Sequence, residues 1–301
     1  MTGLRVAVIG AGQFGIEHLR AYAAMPDVHL VGVSDANPDR AEAVARRFGT
    51  VSVPSAAIAA DAVSIVVPAH ARGSLTADVL ASGAAAIIEK PLAESGNAAE
   101  AFVKSAGAGV VMVGHVLRFA EPYRRLAARS KSLGVLLGGS LARRRSADHA
   151  EMHPVDDVIG LTMIHDLDAV TWLSGSVPVS VAASGGRGAD GRWVRCRAEV
   201  TTASGSRWWV DAEWAGEAGE HEDRASIEGA GGEASVAVSS AEAEAVYGTA
   251  LARELRHFVD HARSGTPSDV LRMTDAALAV RLADAVRTSL DQEGAEIALN
   301  D

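Results

Sequence analysis

The sequence predicts an α/β protein in two parts. A doubly wound parallel sheet of the Rossmann type comes first, followed by an α+β part with a large open, mostly antiparallel sheet. Three observations carry this prediction. Apolar, β-branched runs alternate with helix-like stretches from residue 4 to about 118, which is the pattern of parallel βαβ units. The first run, Val6-Ala7-Val8-Ile9, leads directly into Gly10-Ala11-Gly12-Gln13-Phe14-Gly15, a G-x-G-x-x-G turn between strand and helix. After Arg118 the texture changes to closely spaced strand-like runs with glycine-containing or polar links, which suits antiparallel pairing.

Leu4–Ile9 is the first strand. Gly15–Met25 is a helix closed before Pro26, Val28–Ser34 a strand, and Asn37-Pro38 a turn that opens a helix over Asp39–Phe48. Val63–Val67 is an apolar run of the kind buried on both faces of a parallel sheet. Leu75–Ser82 is helical and closed by Gly83. Ala86–Ile88 is a short strand running into Glu89-Lys90-Pro91, Asn97–Ala106 a helix and Gly109–Val113 a strand. In the second part, Leu136–Arg145, Ser176–Gly185, Arg192–Thr202, Ser206–Trp214, Arg224–Glu228 and Glu233–Ser239 read as strands, interrupted by a helix from about Gly160 to Leu173. Two helices follow, Gly248–Ser264 and Met273–Gln292, split by Gly265-Thr266-Pro267. The expected organisation is a dinucleotide-binding domain over 1–118 and a second, α/β domain over 119–301, with the C-terminal helices packing back on the first.

Composition narrows the function classes. The 301 residues are 48% hydrophobic, enough for sizeable cores, yet no apolar run reaches the ~18 residues a membrane span needs. A net charge of −10 argues against nucleic acid, which needs a basic face. Arg143, Arg144 and Arg145 are the one dense basic run, but alternate strand residues point to opposite faces, so they make no single patch. The one cysteine, Cys196, leaves neither a disulfide framework nor a cysteine metal site. Met-Thr-Gly-Leu-Arg followed at once by a strand leaves no room for a signal peptide, so a cytoplasmic protein is expected.

Ligands of an open parallel sheet bind beyond the carboxyl ends of its strands. Gly10 permits the tight turn, Gly12 removes a side chain from the path of a pyrophosphate, and Gly15 lets helix and strand pack closely. Gln13 and Phe14 line the same turn. Asp35 ends the second strand where a carboxylate accepts hydrogen bonds from a ribose and repels a 2′-phosphate, which favours NAD over NADP; Arg40 nearby keeps NADP open. Pro68, Glu89 and Lys90 reach the same edge and complete the cofactor set. Pro91 restricts the Lys90 backbone to extended geometry, which aims a lysine able to hydrogen-bond a reacting oxygen. His165 and Asp168 lie three apart on a helix and share a face; the acid is placed to orient the imidazole, and the imidazole to act as acid/base. The spacing of His149, His153, His165 and the nearby carboxylates matches no regular metal motif, so no metal is expected.

Taken together these residues resemble the Gfo/Idh/MocA oxidoreductases, the glucose–fructose oxidoreductase and inositol dehydrogenase group. The resemblance rests on the glycine turn, Ser34-Asp35-Ala36-Asn37-Pro38-Asp39-Arg40-Ala41, Leu80–Leu92 with its Glu-Lys-Pro, Gly114-His115-Val116-Leu117-Arg118-Phe119 and His165-Asp166-Leu167-Asp168. It implies hydride transfer between NAD or NADP and a carbinol or keto carbon of a sugar-, cyclitol- or polyol-like molecule, with Lys90 and His165 at catalytic positions. Arg118, His149, Asp157 and Asp168 are the further substrate candidates. Association into homodimers or homotetramers through the open sheet is also implied. Two departures stand out. Inositol dehydrogenase-like members carry an aspartate four residues before the helix histidine, where this chain has Leu161. They also have a histidine four residues after the Pro68 position, where this chain has Arg72, with His70 in a different register. Two alternatives therefore stand beside the enzyme: a cofactor-binding regulator or sensor on the same fold, and an NAD-dependent glycosidase.

Overall fold

The computed structural model describes residues 3–55, 58–107 and 109–299; Met1 and Thr2, part of the N-terminal stretch read above, lie outside them. The chain divides into two compact units. The first comprises Met1–Glu94, Ala98–Val116 and Gly248–Ala276, and the second Ser95–Asn97, Leu117–Tyr247 and Ala277–Asp301.

The first unit is built on five parallel strands, β1 (Leu4–Ile9), β2 (Val28–Ser34), β3 (Ala62–Ile65), β4 (Ala85–Glu89) and β5 (Val111–Gly114), in the order β2-β1-β3-β4-β5. All residues of β3, β4 and β5 are buried, the reason these segments read as near-continuous apolar runs, interrupted by Ser64 and ended by Glu89, rather than alternating ones. The connections carry α1 (Gln13–Ala23), α2 (Pro38–Phe48), α3 (Leu75–Ala81) and α4 (Gly96–Ser105). Helix α2 is delimited as its sequence dictates. The Asn37 side chain accepts the Arg40 N–H, Pro38 occupies the first turn, and Gly49 closes the helix at φ 65°.

The second unit holds β6 (Leu136–Ser146), β7 (Pro178–Arg187), β8 (Trp193–Thr202), β9 (Arg207–Gly216), β10 (His221–Gly229), β11 (Gly232–Val238) and β12 (Ile297–Ala298), ordered β11-β10-β6-β9-β8-β7-β12. Every pairing is antiparallel except β6 with β9, which is parallel. Strand β9 shows the expected alternation: Trp208, Val210, Ala212 and Trp214 are buried, whereas Arg207 and Trp209 are exposed. Helices α5 (Glu121–Ser130) and α7 (Ile164–Ser174) pack on the buried face; the short α6 (His149–Met152) follows β6. The other face carries cross-strand ion pairs, Arg144–Glu213 at 3.0 Å, Arg197–Asp211 at 2.7 Å and Arg207–Glu199 at 3.5 Å.

Two long helices close the chain, α8 (Ser240–Ser264) and α9 (Met273–Asp291), and the unit boundary falls within both. Helix α8 starts well before the expected Gly248, where Glu242 reaches back to Ser239 as the glutamate of a capping box does. The Ser239 N–H and hydroxyl both donate to the Glu242 carboxylate, at 3.0 and 2.6 Å. Helix α5 was not expected; Glu121-Pro122 opens it. The single helix read over 160–173 is in fact a π-helical stretch, Ile159–Met163, running into α7. Among the described residues no helix is long and apolar enough to cross a membrane.

Candidate active site

The three glycines of the first turn serve different physical needs. Gly10 has φ +105°, and a Cβ there would lie 2.9 Å from the Val66 carbonyl. A Cβ on Gly15 would lie 1.8 Å from the Gly10 oxygen. Both are demanded by the turn itself. Around a Cβ on Gly12 there is nothing within 4 Å, and Gly12 caps α1 with no side-chain hydrogen bond. The first-turn N–H groups of α1 have no intrahelical acceptor, and with the space beside Gly12 open this is the arrangement that receives a phosphate. Gln13 and Phe14 are exposed beside it, and the Phe14 ring meets His18 edge-on at 5.2 Å.

Asp35, at the end of β2, is tied to this turn. One oxygen accepts the Ala11 N–H at 2.8 Å; the other accepts the Asn37 N–H at 2.8 Å and the Arg40 guanidinium at 2.6 Å. Burial raises its pKa, but Arg40 and the two N–H groups outweigh burial and hold the carboxyl below its ordinary range. The carboxylate is ionised and oriented at the position expected for a ribose. A dinucleotide thus fits the residues present: open space over Gly12, helix N–H groups beneath it and a fixed acid one strand away.

At the end of β4, Glu89 is buried rather than presented at the edge. Its Oε1 lies 3.2 Å from Nε2 of His18 on α1; His18 Nδ1 lies 3.2 Å from the Ser64 hydroxyl, which meets the Tyr22 hydroxyl at 2.7 Å. Gly114 keeps room for this carboxylate, since a Cβ there would approach Oε1 to 2.7 Å. Glu89 thus links the glycine-turn helix to the lysine strand from behind the sheet edge. Lys90, the next residue, is half-buried, and Pro68 and His70 after β3 are exposed. Arg72, from the same loop as Pro68, is buried and donates to the carbonyls of Val67, Glu89, Pro91 and Leu92. Residues following β1, β2, β3 and β4 thereby meet one edge of the sheet: Gly12, Asp35, Pro68 and Lys90.

In the second unit His165 stands half-buried in the first turn of α7, directly after the π-helical stretch. Such stretches recur at functional sites. The four other candidates there are held as follows. Arg118 donates twice to Asp168, at 2.9 and 2.6 Å, with both side chains buried. Asp157 accepts Arg287 at 2.9 and 3.0 Å and the Gly160 N–H at 2.7 Å, which fastens the start of the π-helical stretch. His149 lies tilted against His153 at 4.7 Å and meets Trp214 edge-on at 5.3 Å; Trp214 donates to Thr162 at 2.8 Å. Leu161 is half-buried.

Three site residues were not singled out from the sequence as functional: His18, Arg72 and Asp166. Asp166 is fully buried and accepts Arg143 Nε at 2.8 Å, while Arg143 also reaches Asp223 at 3.0 Å and the Tyr123 hydroxyl at 3.2 Å. Burial pushes Asp166 up to about 6, with Arg143 offsetting part of the rise. Burial acts on Asp223 too, but Arg143, His221 and Arg145 outweigh it and hold Asp223 far below the ordinary range. The Arg143-Arg144-Arg145 run was the available signal: Arg143 and Arg145 share the buried side and are neutralised there, and Arg144 faces outward. Among the described residues no group of histidines, cysteines and carboxylates could hold a metal.

Residues 4–116 match the GFO_IDH_MocA model, an oxidoreductase family with an NAD-binding Rossmann fold. The chain is 34% identical over 190 residues to the UDP-N-acetylglucosamine 3-dehydrogenase of Acidithiobacillus ferrooxidans, covering 62% of this chain and 59% of that one. It is 34% identical over 196 residues to the inositol 2-dehydrogenase of Acidothermus cellulolyticus, covering 61% and 57%. The chain thus spans less than two thirds of the length of these relatives. The scyllo-inositol dehydrogenase of Lactobacillus casei, crystallised with NAD(H) and scyllo-inositol, has the same fold, with a TM-score of 0.86 at 16% identity over 99% of both chains.

Proposed function

We propose that the chain is a Gfo/Idh/MocA-type oxidoreductase, as the match of residues 4–116 to that family's NAD-binding model supports, and that it is an NAD-dependent dehydrogenase acting on a carbinol carbon of a ring polyol, a cyclitol or sugar. The observation that carries this reading is the open space over Gly12 at the sheet edge from which Lys90 emerges. Gly10, Gly12, Gln13, Phe14, Gly15, Asp35 and Pro68 would hold the dinucleotide, with Glu89 acting from behind through His18. Bound NAD supplies the ring carbon that accepts or returns hydride. Lys90 donates a hydrogen bond to the reacting oxygen as negative charge develops on it. His165 takes the hydroxyl proton as the carbinol becomes a carbonyl, and returns it in the reverse direction. The Asp35 carboxylate favours NAD over NADP. The names of the two relatives, dehydrogenases of an inositol and of a nucleotide sugar, support a ring carbinol as the substrate group. Arg118, His149, Asp157 and Asp168 belong to the substrate side in this reading, Asp157 and Arg118 chiefly by holding the π-helical stretch and α7 in place. The protein works in the cytoplasm, and its exposed sheet face pairs with a second copy in a homodimer or homotetramer.

Leu161 favours one other reading, a cofactor-binding sensor without turnover. Titration with NAD followed by a panel of inositols, linear polyols and keto sugars, monitored at the nicotinamide absorbance band, separates the two. The dehydrogenase reading expects NADH formation with at least one ring polyol. NAD binding with no turnover across the panel contradicts it and leaves the sensor.

A further inference from the structure

The residues on either side of Lys90 are Glu89 and Pro91, and the carbonyl of each accepts a hydrogen bond from Arg72. The same guanidinium reaches Leu92 O at 3.0 Å and, through Nε, Val67 O at 3.1 Å. One planar group therefore gathers the end of the β3 segment and both flanks of the lysine. Pro91 has no N–H with which the turn could anchor itself. Arg72 supplies donors from a side chain instead, in the fixed fork that only arginine offers. The guanidinium is buried, with Arg72 only 6% exposed. Burial lowers its pKa to about 10, with Glu89 opposing the fall, so it is a cation at neutral pH. Four carbonyl oxygens and the nearby Glu89 carboxylate balance that charge. A histidine, the residue the resemblance leads one to expect here, presents at most two donors and could not span these four oxygens.

We propose that Arg72 is a positioning residue for Lys90, holding the lysine backbone from both sides so that its ammonium meets the reacting oxygen. This rests on the role given to Lys90 above, and the test keeps the two claims apart. The sequence contains three lysines, Lys90, Lys104 and Lys131, and the latter two are exposed. Reductive methylation with 13C-formaldehyde thus gives a spectrum in which the Lys90 dimethylamine is identified by its loss in Lys90→Arg. In the unaltered protein this signal stands apart from those of Lys104 and Lys131. Arg72→Met, Arg72→Gln and Arg72→His move it to the exposed-lysine position and leave the other two unmoved. With the best polyol of the panel, the same variants lose roughly 10- to 100-fold in kcat, the scale of a reacting group displaced by about 1 Å, while KM and NAD affinity change less than about threefold. A Lys90 signal that stays in place in a folded Arg72 variant overturns the proposal, as does loss of cooperative folding in all three variants. A displaced signal with unchanged kcat counts instead against the role of Lys90. A protein without turnover counts against the dehydrogenase reading, while the spectrum still decides on Arg72.

Discussion

Gly12 and Gly15 occupy the same turn, yet their substitution has opposite expected consequences. A side chain on Gly12 enters open space where the pyrophosphate would lie. Gly12→Val is expected to keep the melting temperature and to weaken NAD binding at least about tenfold. A Cβ on Gly15 collides with the Gly10 carbonyl, so Gly15→Ala is expected to destabilise the fold by about 2 kcal/mol or more. Thermal unfolding and NAD titration of both variants check this; a Gly12→Val that binds NAD normally contradicts the placement of the cofactor. The glycines, Asp35 and Lys90 were legible because each follows a strand at a fixed offset, information local in sequence. Arg72 and His18 were not legible as functional, because the groups they hold, Glu89 and its neighbours, lie far away in the chain and only the strand order brings them together.

Helix α7 is fastened near its start on two sides, by Asp166 to Arg143 and by Asp168 to Arg118, and both ties limit how His165 can move. The Asp166 tie gives a pH signature. In the native state its carboxyl is raised to about 6 from the ordinary 3.8, so the folded protein binds that proton more tightly than the unfolded chain. The resulting stability is complete below about pH 4 and is lost as pH rises through about 6. Asp166→Asn removes the titrating group. The melting temperature of the unaltered protein minus that of the variant is therefore expected to fall between about pH 4 and pH 7; a difference independent of pH contradicts the assignment. Strands were legible at this scale by alternation or by near-continuous apolar runs. Helix α5 and the start of α8 were missed because their polar composition hides the apolar period. The Ser-x-x-Glu spacing of Ser239 and Glu242 was present in the sequence as a start signal. The π-helical stretch has no sequence signature of its own, and Asp157 with Arg287 stabilises it from a distant helix.

Across the whole chain, the two units share α8 and α9 in sequence, so a division at a single position near 118 describes only part of the organisation. The exposed sheet face combines paired charges with an exposed Trp209 at 40% accessibility. Pairing of this face with a second copy is expected to bury that indole, and Trp209→Glu is expected to shift the protein toward the monomer in sedimentation analysis without changing its melting temperature by more than a few degrees. An unchanged sedimentation coefficient contradicts the use of this face.

The central claim is that hydride moves beside Lys90, and comparing turnover with NAD affinity in Lys90→Ala tests it most directly. The account predicts that turnover of the best ring polyol falls about 100- to 10,000-fold, while the NAD dissociation constant stays within about threefold. Turnover retained within tenfold in a variant that still binds NAD contradicts it.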